Sequence, residues 1–155
     1  VDLACEALAN DPVDDKRDEL RNHVRDEHVD LDQTVTLRGG PDNIDKLRRH
    51  ASRTHRAFVL DGEPVFGVSV FCALDDIGPG SLDGLLRSRL ATYRWVHTPT
   101  AGQLAEAGFS LLATFARPHY TLLLDAIGDE DLGRLETALG PPVENPYHRR
   151  GRSGR

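Results

Sequence analysis

The stretch TVTLRGGPDN, residues 34–43, places an arginine and two glycines between a strand-like run and a helix-like run. Such a junction suits an anion. The first N–H groups of a helix have no partner within it, and the positive end of the helix dipole faces the incoming chain. Gly39 and Gly40 would let the backbone approach a phosphate. Arg38 would add a bidentate fork, and Asn43 a polar group at the helix start. The loop fits neither G-x-x-x-x-G-K-[ST] nor G-x-G-x-x-G, so a tight turn with an exposed arginine explains it as well.

The junction opens a basic island. Residues 38–56 carry six cations and two anions, whereas residues 1–37 carry four cations and eleven anions. A nucleotide, RNA or another phosphate-containing small molecule would suit the island. A solvated helix face, or neutralisation by the acidic N-terminal segment folding over it, accounts for the same charges. The whole chain has a net charge of −6, which argues against a general nucleic-acid binder.

Two histidines are candidates for proton transfer near neutral pH: His97, on a run predicted to be a strand, and His119, directly after Arg117-Pro118. Arg94 lies on the opposite face of the first run from Tyr93, Trp95 and His97. A structural hydrogen bond is the competing role for His97, and an exposed turn position for His119. No H-E-x-x-H or comparable spacing exists, so no metal is assigned, and no motif names a cofactor. Ser69 sits with Gly67 on one face of a nearly all-apolar run, where small residues admit a close neighbour, so it joins Arg94 as a ligand contact. G-x-S-x-G is incomplete there, and a serine nucleophile is not expected.

An arginine on an early strand, Arg38, a serine on a central strand, Ser69, and a late glutamate form an order that loosely resembles ADP-ribosyltransferase-like domains, bacterial toxin versions included. The resemblance implies that Arg38 and Ser69 help to hold NAD and that a glutamate is catalytic. Glu106 falls within a predicted helix and Glu144 follows Pro141-Pro142, so neither takes the glutamate's place.

The elements that must position these residues follow from periodicity. Residues 1–28 are predicted as an acidic helical segment in two pieces. Residues 29–37 alternate as a strand. A helix follows over about 43–56, with Asp42 as its cap. Residues 57–74 form two strands around Asp61-Gly62-Glu63-Pro64, the second of them central. Ser81 caps a short helix burying Leu82, Leu85, Leu86 and Leu90. A strand is predicted over 92–98, and the T-x-x-Q box of Thr100 and Gln103 starts a helix that Gly108 ends. SLLATFA and HYTLLLD make a hairpin across Arg117-Pro118. A last helix, 129–139, buries Leu132, Leu135 and Leu139.

The expected fold is α+β: a single domain over 29–146, with about six mostly antiparallel strands in a mixed or split sheet and helices packed on it. The N-terminal helices precede it and a basic disordered tail, 147–155, follows. No apolar run of 18 residues exists, so no membrane is expected. With no secretory signal at the N-terminus, a cytoplasmic location is expected. Cys5 and Cys72 have no partner spacing and are expected as free thiols. Two functions fit: a small phosphate-directed protein acting on a nucleotide or RNA, toxin-like if catalytic, or a non-catalytic module of a toxin–antitoxin or regulatory pair that meets a partner protein through residues 1–28.

Overall fold

The computed structural model describes residues 17–27 and 32–149. The fold is α+β. In chain order its strands are β1 (Asp18–Glu19), β2 (Thr36–Gly40), β3 (Phe58–Leu60), β4 (Glu63–Pro64), β5 (Phe66–Cys72), β6 (Trp95–His97), β7 (Ser110–Ala113), β8 (His119–Leu124) and β9 (Val143–Glu144). The helices are α1 (Ile44–Ala57), α2 (Leu82–Arg87), α3 (Ala101–Glu106) and α4 (Asp129–Leu139).

The main sheet has the order β7-β8-β5-β2-β6-β9 and is antiparallel throughout. Its backbone is the long pairing of β5 with β8, from Phe66 opposite Leu124 to Phe71 opposite His119. Side chains alternate across a strand, so Val68, Val70 and Cys72 share one face with Tyr120, Leu122 and Leu124. Three helices cover that face through Leu47 and Ala51 of α1, Leu104 of α3, and Leu132, Leu135 and Leu139 of α4. The opposite face offers Leu37 and Val96, which pack against Leu85 and Leu86 of α2 and the following Leu90. Cys72 lies in the larger core, and burial pushes its thiol up to about 11. A small second sheet, β1-β3-β4, pairs β1 parallel to β3 and closes β3 on β4 through Asp61-Gly62.

Local chemistry explains where the helices begin. Ser81 accepts from the Gly84 N–H, and Thr100 and Gln103 form the expected reciprocal box. Gly108, at φ +95°, follows α3 in the left-handed conformation that glycine takes without strain. The helix α4 has no side-chain cap, but Asp129, Glu130 and Asp131 fill its first turn and complement its dipole.

Several expectations change. The cap of α1 is Asn43, whose side chain accepts from the Lys46 N–H; Asp42 is buried one residue earlier. The strand expected over 29–37 begins at Thr36 and runs on through Gly40, so both glycines belong to the strand and not to a loop after it. Residues 32–33 form a turn. The strand expected over 92–98 is only Trp95–His97, and Leu82 is exposed at the start of α2. The strands β1, β4 and β9, two residues each, are too short for a periodic signal to mark them.

The N-terminal segment differs where it is described. Residues 17–27 form β1, a 3-10 turn at Leu20–His23 and extended chain, not a helix. With Leu20 and Val24 as its only apolar stripe, this stretch gains more by pairing with β3 and with Thr114 than by coiling alone. The first predicted helix lies outside the described residues, as does Cys5. Of the tail expected to be disordered, residues 147–149 are docked: the Arg149 N–H donates to the Ala91 carbonyl, and the Tyr147 N–H to buried Asn145. Residues 150–155 lie outside the described residues. Among the described residues no helix is long and apolar enough to cross a membrane.

Candidate functional site

The strands β2 and β5 pair only at Thr36 with Cys72 and at Leu37 with Phe71. Beyond that point β2 turns to β6 instead, with Arg38 opposite His97, Gly39 opposite Val96 and Gly40 opposite Trp95. The sheet therefore splits, and at Ser69 β5 has no neighbour on the β2 side. The Ser69 carbonyl is not orphaned, because the Arg38 guanidinium donates to it from Nη1 at 2.8 Å. A side chain has replaced a missing rung of the ladder and satisfies the backbone acceptor.

Arg38 is otherwise committed. Its Nε donates to Asp42 at 2.6 Å, and Nη2 donates to Asp42 at 3.5 Å and to Nδ1 of His50. The arginine is 6% exposed and the Asp42 side chain is fully buried. Arg38 thus forms the wall of a cleft with its charge already matched. Since His50 accepts at Nδ1, its ring proton is on Nε2. Burial, then the charges of Arg38 and Arg53, lowers its pKa, so the ring is neutral near pH 7.

The cleft lies at the split and has a volume of about 460 Å³. On one side stand Lys46, His50, Arg53 and Thr54 of α1, whose spacing puts them on a single stripe of the helix. Arg38 and Ser69 also line it, and Phe58, Phe71 and Tyr93 supply aromatic walls. Lys46 donates to the Pro41 carbonyl, and Arg53 is exposed. The remaining cations of α1 face elsewhere, with Arg48, Arg49 and Arg56 on a separate shallow patch and Arg48 paired to Asp129.

Gly39 and Gly40 do permit close approach, but of two rings. A Cβ at Gly39 would stand 2.5 Å from the Tyr93 ring, and one at Gly40 2.7 Å from the His97 ring. Asn43 is used as the helix cap. His97 is 3% exposed and does not line the cleft. Its Nδ1 faces the Gly140 carbonyl at 2.8 Å and so carries the proton, while Nε2 accepts from the Asp42 N–H at 3.1 Å. That geometry positions the Arg38–Asp42 pair. Arg94 is also away from the cleft, beside Glu144 and over the Trp95 ring.

Ser69 and His119 do meet. The pairing of β5 with β8 sets Ser69 opposite Thr121, and the Ser69 Oγ lies 3.0 Å from the His119 Nε2. At the other side of the ring, Nδ1 lies 3.0 Å from the Thr114 hydroxyl and 3.3 Å from the Thr114 carbonyl. A carbonyl only accepts, so Nδ1 carries the proton and Nε2 is the acceptor for the Ser69 hydroxyl. The Thr114 hydroxyl in turn reaches Thr121 at 2.7 Å. Burial lowers the His119 pKa, against a raising effect of the Thr114 carbonyl. Phe71 and Phe115 meet its ring edge-on. Phe115 itself has φ +56°, a conformation costing a bulky residue on the order of 1–3 kcal/mol. It is held by its N–H donating to the His23 carbonyl and by Arg25, which donates to the Thr114, Phe115 and His119 carbonyls.

Sequence spacing could have grouped Lys46, His50 and Arg53. The pairing of Ser69 with His119 depends on strand register, for which the sequence carried no local signal. Among the described residues no group of three His, Cys, Asp or Glu side chains is arranged to hold a metal ion. Comparison of the chain with protein-family models, curated proteins and solved structures finds no match.

Proposed function

We propose that the protein is phosphate-directed and that the cleft at the split sheet binds a nucleotide. The observation that carries this reading is the stripe of Lys46, His50 and Arg53 facing aromatic walls across one concave site. Lys46 and Arg53 would take the phosphates by charge-assisted hydrogen bonds, with His50 Nε2–H as a neutral donor between them. Phe71 or Tyr93 would stack the base. The role foreseen for Arg38, direct contact with phosphate, shifts to fixing the cleft wall through Asp42 and Ser69. A volume of about 460 Å³ suits a single nucleotide better than an RNA strand, which needs an extended groove.

The alternative, an interaction module meeting a partner through residues 1–28, has less support. Residues 17–27 are used within the domain, on β3 and around Thr114. A titration of the full chain with fluorescent nucleotides at two salt concentrations tests the proposal. Saturable binding that weakens with salt is expected; no binding by any nucleoside mono-, di- or triphosphate rejects it.

A further inference from the structure

Ser69 and His119 have the geometry of an activated nucleophile, and nothing in the binding role just proposed requires it. The serine is exposed, and its Oγ lies 3.0 Å from the His119 Nε2. The far nitrogen faces the Thr114 carbonyl, which accepts from it in the tautomer that leaves Nε2 open to the serine proton. Nucleophile, base and a third group that orients the base are the parts by which such sites are recognised. Ser69 also lines the cleft that holds Lys46 and Arg53, and its own carbonyl anchors the Arg38 guanidinium. Ser69 thus shares a cleft with Lys46 and Arg53, the cations available to a transferring phosphoryl group.

We propose that Ser69 is a nucleophile and His119 its general base, and that together they cleave a phosphoester or phosphoanhydride bond of the ligand through a covalent phosphoserine. This rests on the reading of the cleft as a phosphate site. In the first step the Ser69 Oγ–P bond forms and the bond from phosphorus to the leaving oxygen breaks. The hydroxyl proton passes to His119 Nε2 and then to the leaving oxygen. In the second step water attacks phosphorus, its proton passes through His119 to Ser69 Oγ, and the Oγ–P bond breaks to release phosphate. Nothing is oxidised or reduced, and water is the only co-reactant.

The charged groups around His119 favour its neutral form. Arg25 holds its backbone carbonyl and Arg89 lies over the neighbouring Phe71 ring, while Glu27 is paired to Arg25 and Arg117. Burial acts in the same direction, placing its pKa below the ordinary 6.5.

The test is reaction of the full chain with a fluorophosphonate, read by intact mass and peptide mapping, alongside titration with a fluorescent nucleotide. A single adduct on Ser69 is expected. Its rate should rise as pH increases through a value below 6.5 and then level off. Ser69→Ala should lose the adduct. His119→Asn should slow labelling by about 100-fold or more. Because that variant could fail to fold, the pH profile of the unaltered protein provides an independent measure. Absence of the Ser69 adduct, a flat profile between pH 4 and 8, or an undiminished rate in folded His119→Asn overturns the nucleophile, even if nucleotide binds. An adduct without any nucleotide binding supports the nucleophile and base but overturns the phosphate ligand assigned to them.

Discussion

The Arg38 guanidinium donates to the Ser69 carbonyl at 2.8 Å, across the gap where β2 leaves β5. A single side chain thus joins the two edges of the split sheet while its charge is matched by buried Asp42. The arrangement makes the arginine a structural part of the cleft, with consequences different from those of a surface phosphate contact.

Arg38→Ala should destabilise the fold by about 3–5 kcal/mol, because it leaves the Asp42 carboxylate buried without its partner. Denaturant unfolding measures this. The loss in Arg38→Met with Asp42→Leu should be smaller than the sum of the two single losses, since neither variant of the pair then leaves an unmatched charge.

Gly40→Ala should cost about 1–3 kcal/mol, and Gly39→Ala less. Both methyl groups would meet a ring, but the rings differ in freedom. Tyr93 is 41% exposed and can turn outward, whereas His97 is buried with both nitrogens bonded. Equal melting temperatures for the two variants would contradict this account. Gly39→Ala should instead show its effect in nucleotide affinity, as Tyr93 moves into or away from the cleft.

Lys46→Ala and Arg53→Ala should each weaken nucleotide binding by about tenfold or more, the loss of one charge-assisted hydrogen bond. Arg49→Ala and Arg56→Ala serve as controls, because they remove the same charge from the same helix outside the cleft. If all four variants weaken binding alike, the ligand is held by the general field of α1 and not by the site.

Acid should loosen the turn around Arg117. Asp75 and Glu27 both pair with this arginine. The Arg117 hydrogen bond lowers the Asp75 pKa; for Glu27, burial acts upward but is outweighed by Arg25 and Arg117. Folded values below the unfolded ones mean that the unfolded chain binds more protons, so stability rises with pH over that window. The contribution is complete above the ordinary carboxylate values of 3.8 and 4.5 and disappears as pH falls through the folded ones. Melting temperature measured from pH 6 to pH 3 should drop, and Glu27→Gln should drop less steeply.

Sequence reading succeeds here wherever a local rule decides the outcome. Leu132, Leu135 and Leu139 repeat at helical spacing and are the buried stripe of α4. Thr100 and Gln103 cap α3, and Arg117-Pro118 turns the hairpin between β7 and β8. The α+β class and the central place of β5 followed from the same kind of signal. What local rules missed was set by partners distant in sequence. Asp42 looked like a cap because an acid before a helix usually is one, but Arg38 drew it into the interior. The early strand continued through two glycines because Tyr93 and His97 occupy the room they leave. Ser69 and His119 are 50 residues apart, and only the pairing of β5 with β8 brings them together.

The split also divides the main sheet into two leaves, β7-β8-β5 and β2-β6-β9, whose seam is two residue pairs long. A seam so short can act as a spine about which the leaves swing, with Arg38 as the stitch beyond it. Displacing that stitch would free the Ser69 carbonyl and leave the Leu37–Phe71 pair as the exposed end of the seam. The width of the cleft is thereby coupled to one hydrogen bond, and amide exchange at Leu37 and Phe71 would report its opening.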